Sequence, residues 1–381
     1  MDFGFTEEQK MVVQMVRSFA EKEVNPVASK MDHACEYPVS LVKKLGEMGL
    51  MGAFIPTDVG GSGMDLLTYV LAMEEVSKAW ASLGVIMTVN NSLVCDPIHR
   101  YGNAAQHEQY LKPLAQGKKL GCYALTEPAA GSDPGAMTTR AALDGDAYVL
   151  NGTKRFITSG SHADIALVYA VTDPSQGKKG ISAFIVETAT PGFVVEKVED
   201  KLGLHGSDTA ELVFQDCRVP KANLLGEKNK GFHIALATLD GGRIGIAAQS
   251  LGIAQACLEA SVAYAKTREQ FGQPISSFQA IQFMLADMKT ELDAARLLTF
   301  RAALLRQSGE AATLAASQAK LYASEMCNRA AYKAVQVFGG YGYMKEFPVE
   351  RYYRDARITT LYEGTSEIQR MVIARDLLKN A

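Results

Sequence analysis

Ile165-Ala166-Leu167-Val168-Tyr169-Ala170-Val171 is a short run in which β-branched, aromatic and small apolar residues follow one another without a charge. It reads as a strand. Ala147-Tyr148-Val149-Leu150, Ile181-Ser182-Ala183-Phe184-Ile185-Val186 and Glu211-Leu212-Val213-Phe214 share its character, and turn formers such as Asn151-Gly152 separate them. Together they define a small all-β unit that begins near Gly121. On either side the period changes. From Thr6 to about Lys119 apolar residues recur at helical spacing, as in Met11, Val12, Met15, Val16 and Phe19 and again through residues 41–45, broken by a glycine-dense loop at residues 56–63. After Pro220, Gly226 and Gly231 the helical period returns over residues 234–266, 277–307 and 311–338, lengths that suit a helical bundle.

The order helical, β, helical excludes a doubly wound sheet, in which strand and helix alternate. No G-x-G-x-x-G opens a helix after a strand, since Gly340-Tyr341-Gly342 lacks its third glycine, and no Walker loop occurs. The six histidines form no H-E-x-x-H and accompany no nucleophile elbow, so no metal site is expected. At 381 residues the chain exceeds one hydrophobic core and should divide into two or three units. A net charge of -3 with 21% charged residues gives no electrostatic footprint for nucleic acid. The six cysteines are scattered singly with no C-x-x-C, which fits a reducing compartment, the cytoplasm first and a mitochondrial matrix second. No apolar run is expected to reach the length of a membrane span. The N-terminus has no basic-then-apolar leader; Thr6 and Gln9 are spaced as a capping box at a helix start.

Near the other end, Leu361-Tyr362-Glu363-Gly364-Thr365-Ser366-Glu367-Ile368-Gln369 sets a carboxylate between an aromatic ring and a glycine. Glycine lets backbone approach a ligand closely, and residues 365–367 read as the first turn of a helix. Alone, a glutamate in a turn is an ordinary surface feature. Tyr123-Ala124-Leu125-Thr126-Glu127-Pro128-Ala129-Ala130-Gly131-Ser132-Asp133 stands at the entrance to the β unit, followed by Arg268-Glu269-Gln270-Phe271-Gly272, Gln336-Val337-Phe338-Gly339-Gly340 and Arg354-Asp355-Ala356. In this order, over essentially the whole chain, these motifs resemble the acyl-CoA dehydrogenase family, nearest in pattern to its short-chain, butyryl-CoA-type members.

The resemblance implies an α+β fold: an N-terminal all-α domain (1–120), a middle small β-barrel or sandwich domain (121–228) and a C-terminal four-helix bundle (229–381). It implies an FAD-dependent enzyme of fatty acid β-oxidation that converts a short-chain acyl-CoA to the trans-2-enoyl-CoA. The electrons are then expected to pass to electron-transferring flavoprotein, and the assembly to be a homotetramer, a dimer of dimers. Removing a proton from the carbon α to a thioester and a hydride from the β carbon needs a base on one face, an acceptor on the other and a polarised carbonyl between them. Glu363 is the implied base, with its backbone N–H helping to polarise the carbonyl. Desolvation between Tyr362, the flavin and the acyl chain should raise its pKa.

For the flavin ring the resemblance implies Tyr123, Leu125, Thr126, Gly131 and Ser132, with Phe156, Ile157 and Thr158 as a second strip. Many relatives carry Trp where this chain has Phe156. For the distal parts of FAD it implies Arg268, Phe271, Gln279, Gln336, Val337, Phe338, Gly339, Gly340, Thr365, Ser366 and Glu367, several of them serving a neighbouring subunit. Substrate contacts are expected from Ser132, Asp240, Gly241, Gly242, Arg243, Tyr362 and Gly364. In isovaleryl-type relatives the base precedes the arginine, and Gly242 cannot serve. Residues 82–96, the expected floor of the acyl cavity, hold no Arg or Lys, which disfavours glutaryl-CoA. Val85, Val89 and Asp96 fall on one helical face at spacings of four and seven. Asp96 is expected to face solvent or to cap a helix; in the sharper alternative it enters the cavity and supports alicyclic substrates. Short branched substrates, direct oxidation by oxygen, a reductase direction and a catalytically silent acyl-CoA-binding protein remain open at this point.

Overall fold

In the computed structural model, residues 4–379 are described; residues 1–3 and 380–381, and with them the extreme N-terminus and the outer ends of the first and last expected domains, lie outside the described residues. Among the described residues eight α-helices precede the sheet: α1 Glu7–Phe19, α2 Asn25–His33, α3 Val39–Glu47, α4 Leu66–Ala79, α5 Ala81–Thr88, α6 Asp96–Tyr101, α7 Ala104–Gln106 and α8 Lys112–Ala115. The expected capping box starts α1: the Gln9 amide donates to Thr6 Oγ1 at 3.2 Å and the Thr6 amide to Gln9 Oε1 at 3.0 Å.

Three stretches between these helices, Ala20–Val24, Val89–Cys95 and His107–Leu111, are π-helical. Each ends two residues before a proline: Pro26, Pro97 and Pro113. In each, the residue preceding the proline donates to the carbonyl five back: Asn25 to Ala20, Asp96 to Asn91, Lys112 to His107. A proline inside a helix clashes with the carbonyl four back and offers no N–H, and widening the turn relieves that clash without ending the helix.

The sheet contains β1 Gly121–Ala124, β2 Arg140–Asp144, β3 Ala147–Thr158, β4 Ile165–Val171, β5 Ile181–Glu187, β6 Phe193–Val198, β7 Thr209–Pro220 and β8 Leu224–Leu225. Its order is β6-β7-β3-β2-β4-β5-β8, with β1 added parallel to β4. β2 and β4 meet only through Arg140 and Val171, so the sheet is two lobes joined at a corner. Ala141, Tyr148, Leu150, Phe214 and Val219 of one lobe pack against Ala166, Val168, Phe184 and Val186 of the other. The opposite face of β4 and β5, carrying Ile165, Leu167, Tyr169, Ile181, Ala183 and Ile185, is buried against Ile55, Val94, Ile98, Leu111 and Ile234 of the helical parts. Burial on both faces is the reason these two strands read as unbroken apolar runs.

One turn assignment is corrected. Asn151-Gly152 lies inside β3, at a register shift against β7, with Gly152 at φ 148°; the hairpin turn is instead at residues 144–147, around Gly145. The bulge keeps the strand continuous to Thr158.

Beyond the sheet run α9 Gly231–Thr267, a small hairpin of β9 Glu269–Gln270 and β10 Gln273–Pro274, α10 Gln279–Gln307, α11 Thr313–Phe338, α12 Val349–Ile358 and α13 Ser366–Lys379. The C-terminal part thus has three long helices and two shorter ones. α9 corrects the expectation about apolar runs, for it is long and apolar enough to cross a membrane. Here its apolar surface is buried: Ile244, Ala248 and Leu251 share one core with Tyr69, Met73 and Val76 of α4 and with Ala319, Ala323 and Met326 of α11.

Candidate active site

Where β1, the β3 end, α5, α9 and the α12–α13 connection meet, they enclose a cavity of about 450 Å³. That is a normal size for a small-molecule site. Tyr123, Leu125, Thr126, Gly131, Ser132, Phe156, Ile157, Thr158, Arg243, Tyr362, Glu363 and Gly364 all line it.

Two strips form the β side. The Arg155 amide donates to the Thr126 carbonyl at 2.8 Å and fixes residues 123–132 beside residues 156–158. Behind them lies a buried ion pair: Lys154 Nζ donates to Glu127 Oε1 at 2.8 Å and to the Leu125 carbonyl at 3.0 Å. Glu127 also accepts from the Thr138 amide at 2.6 Å and the Thr139 amide at 3.0 Å. Burial penalises this carboxylate, yet Lys154 and the hydrogen bonds outweigh the penalty and hold its pKa low. The pair is a brace for the loop that carries Thr126 and Ser132.

Phe156 stands in a left-handed conformation, φ 60°, with its side chain 59% exposed toward the cavity and the Arg155 guanidinium 5.3 Å from its ring. An exposed aromatic on a strained backbone beside the Thr126, Ser132 and Thr158 hydroxyls suits a flat, polar-edged ring. The donor set matches the isoalloxazine of FAD that the motifs imply.

Glu363 sits across the cavity at φ 55°, followed by Gly364 at φ 89°. Over all its atoms the residue is only partly buried, but Oε2 has no solvent contact and no hydrogen-bond partner. Desolvation pushes its carboxyl up to about 7, against the opposing pull of Arg243 and Lys320. A β-carbon built on Gly242 would overlap this carboxylate and come within 2.9 Å of Leu93 Cδ2. The position before Arg243 is therefore filled by the carboxylate of Glu363. Tyr362 donates its hydroxyl to Gln249 Oε1, and Gln249 Nε2 donates to the Ala81 carbonyl at 2.8 Å, which fixes the ring next to Glu363.

Arg243 is buried. Its Nη1 donates to Asp240 Oδ1 at 2.8 Å, and Thr313 donates to the other Asp240 oxygen at 2.6 Å, while Arg243 Nε has no partner. Burial lowers its pKa despite Asp240 and Glu363. Asp240, Gly241 and Gly242 stand behind the cavity wall, and a β-carbon built on Gly241 would meet the Arg306 guanidinium at 2.9 Å.

Asp96 departs from both expectations. It is buried, not solvent-facing, and pairs with Arg306 at 2.6 Å; it does not line the cavity, whereas Val85, Val89 and Leu93 do. The π-turn over Val89–Cys95 is the cause: the spacing argument assumes 3.6 residues per turn, and the wider turn rotates everything after it off that face. No cation lines the inner cavity wall at residues 82–96.

The other expected cofactor residues are elsewhere. Arg268, Val337, Phe338, Gly339 and Gly340 line a separate concavity of about 510 Å³, where the Arg268 guanidinium lies 5.3 Å from the Tyr341 ring. Phe271 is 93% exposed on the β9–β10 hairpin, and Gln279 and Gln336 are exposed. Thr365 caps α13, its hydroxyl accepting from the Ile368 amide at 3.3 Å; Ser366 is buried and Glu367 exposed. Sequence reading missed Lys320, Leu239 and Ile246 of the bundle and the exposed rim cations Lys178 and Arg375. For Lys320 a signal existed: it interrupts the buried row Ala316, Ala319, Ala323 and Cys327 at helical spacing.

Comparison with known proteins gives matches over the whole chain. The family models "Acyl-CoA dehydrogenase, N-terminal domain", "middle domain" and "C-terminal domain" match residues 6–118, 122–217 and 229–378. The chain is 52% identical to the mouse protein named "Short-chain specific acyl-CoA dehydrogenase, mitochondrial", over 98% of this chain and 91% of that one. Butyryl-CoA dehydrogenase from Megasphaera elsdenii superposes with a TM-score of 0.98 at 48% identity, covering 99% and 100% of the two chains. A chain solved in work on the "Electron transferring flavoprotein of Acidaminococcus fermentans" superposes at 0.99 with 50% identity, covering 100% of both.

Proposed function

The chain belongs to the acyl-CoA dehydrogenase family, and on that premise we propose how its residues carry out the family's reaction. It is an FAD-dependent oxidoreductase that dehydrogenates a short-chain acyl-CoA between the α and β carbons, with electron-transferring flavoprotein as the redox partner.

Glu363 takes the α-proton on Oε2, the oxygen with no partner and no solvent. That single observation carries the assignment, because an unsolvated, unpaired carboxylate is a stronger base than one in water. The amides of Glu363, Gly364 and Thr365 donate to no acceptor among the described residues, and the first of them polarises the thioester carbonyl. Val85, Val89, Leu93 and Ile246 keep water from the acyl chain. Thr126, Ser132, Thr158 and the residue 125–126 amides would hold the flavin ring, with Phe156 against it. FAD, when bound, supplies the acceptor for the hydrogen leaving the β carbon.

Arg268, Gly339 and Gly340 serve the distal part of FAD in a neighbouring subunit of the tetramer typical of the family. Arg243 and the rim cations Lys178 and Arg375 face the CoA portion. A cytoplasmic location fits the six free cysteines, five of them buried. With Asp96 outside the cavity, the alicyclic reading loses its structural support.

The test is a panel of straight short, medium, branched and cyclic acyl-CoAs assayed with an artificial electron acceptor, alongside Glu363→Gln. The variant is expected to keep its flavin colour and to lose turnover by roughly 10²–10⁴-fold, the usual contribution of a positioned base. Full turnover in that variant refutes the base assignment, and best activity on cyclic substrates refutes the short-chain reading.

A further inference from the structure

Lys320 has no role in the scheme above, although it is completely buried. An ammonium in an alanine-lined helix face destabilises a fold unless something compensates, and leucine there would pack better. No carboxylate lies within ion-pair distance of its Nζ among the described residues. Its one hydrogen bond is to the Gly364 carbonyl, at 2.7 Å.

That carbonyl belongs to the reactive turn. Gln369 Nε2 donates to it at 3.0 Å and to the Glu363 carbonyl at 3.1 Å, so both carbonyls are tied to the protein. The amides of residues 363–365 stay free. Glu363 and Gly364 are both left-handed, a conformation that strains a glutamate and persists only where neighbours impose it.

The charges around the base are few. Arg243 faces it from α9, Lys320 from α11, Tyr69 from α4, Tyr123 from β1 and Tyr362 from its own turn. Burial raises the pKa of all three tyrosines, which leaves them neutral. Asp240 already pairs with Arg243. Glu325 and Glu367 act on Lys320 only at longer range. Lys320 is thus the cation near Glu363 that has no carboxylate of its own.

We propose that Lys320 is a positioning residue for the dehydrogenation: its ammonium clamps the Gly364 carbonyl so that the turn presents the Glu363 amide and carboxylate to the cavity together, and its charge favours the ionised base. This rests on the reading of Glu363 as the base. Burial pulls the pKa of Lys320 down to about 8, with Glu363 resisting, so it is still mostly charged at neutral pH.

The experiment compares holoenzyme carrying K320M, K320R or E363Q with the parent, measuring FAD content and the pH profiles of kcat and KM on a short-chain acyl-CoA. K320M is expected to retain FAD, to lose roughly tenfold or more in kcat at neutral pH, to change KM by less than about threefold, and to move the acidic limb of the kcat profile to higher pH. K320R keeps the charge and is expected to leave that limb in place. A packing role alone would lower stability without moving the limb. The same displacement is read without turnover: the heat-stability advantage of E363Q over its Glu363 counterpart levels off at a higher pH, and at a larger value, when K320M is also present. A K320M limb at the parent position, or equal displacement in K320M and K320R, overturns the proposal. Should K320M not fold, K320R decides, since its limb stays if the proposal holds and moves if it does not. Turnover retained by E363Q sinks the base reading itself, whereas a dead E363Q beside a parent-like K320M sinks only the role of Lys320.

Discussion

Gly242 and Glu363 share one small volume, and the chemistry depends on which of them fills it. A side chain at 242 overlaps the carboxylate and Leu93, so Gly242→Ala should displace the Glu363 carboxylate. A displacement of an ångström or so in a reacting group costs roughly 10²-fold. We expect kcat to fall by about that factor with FAD content unchanged; steady-state kinetics and the flavin absorbance of the purified variant check it.

The raised pKa of Glu363 has a consequence for stability as well as for rate. Because the folded-state value lies above the unfolded one, the native chain binds more protons between pH 4.5 and about 7, and ionisation destabilises it as pH rises through that window. Glu363→Gln should therefore be more stable than the parent above pH 7, by at most about 3 kcal/mol, and lose that advantage below pH 4.5. Thermal melts of the apoprotein across this range test the sign. Through the same group, kcat/KM of the parent should rise with pH and level off above about 7.

Among the elements, the π-turns mark the limit of what periodicity could tell. The long helices and the doubly buried strands are legible in the sequence because their burial has a fixed period, 3.6 or near-continuous. β1, β2 and β8 are too short to carry a pattern, and β6 is mostly exposed, so they escape notice. The face of Val85, Val89 and Asp96 fails for another reason: the seven-residue spacing spans a turn that Pro97 has widened. Lys320 shows only as a break in the alanine row of α11, a pattern that also fits a solvated face. By contrast the turn at residues 362–364 and the strips at 123–132 and 156–158 stand out in the sequence by their ordered glycines, hydroxyls and glutamate, and the structure brings them to one cavity.

The buried partner of Asp96 yields a prediction for these elements. Asp96→Asn leaves the Arg306 guanidinium, with a side chain 15% exposed, short of its carboxylate. Breaking such a pair from one side costs roughly 3 kcal/mol. The melting temperature should drop while the ranking of acyl-CoA substrates stays the same, and a changed ranking would put Asp96 back in contact with the acyl chain.

For the whole molecule, the proposed sharing of one FAD between two concavities of different subunits predicts cooperative loading. The cavity around Phe156 and the concavity around Arg268 share no lining residue. If one FAD is held by residues of two subunits, affinity for the flavin and affinity between subunits are linked and strengthen each other. Arg268→Ala should then lower flavin occupancy and shift the assembly toward smaller species on dilution, read by absorbance per chain and by sedimentation. Loss of neither would separate Arg268 from the cofactor.

The two-sided burial of β4 and β5 also bears on how the chain reaches its native state. One flank of these strands is completed by Ile55, Val94, Ile98 and Leu111, made earlier in the chain, and by Ile234, made later. A fragment ending at Pro220 would leave Ile234 absent, and the isolated sheet would expose Leu167, Tyr169 and Ile185 as a sticky surface. Closing this flank takes both the earlier helices and the start of α9, so the middle segment expressed by itself is expected to aggregate, which its solubility checks.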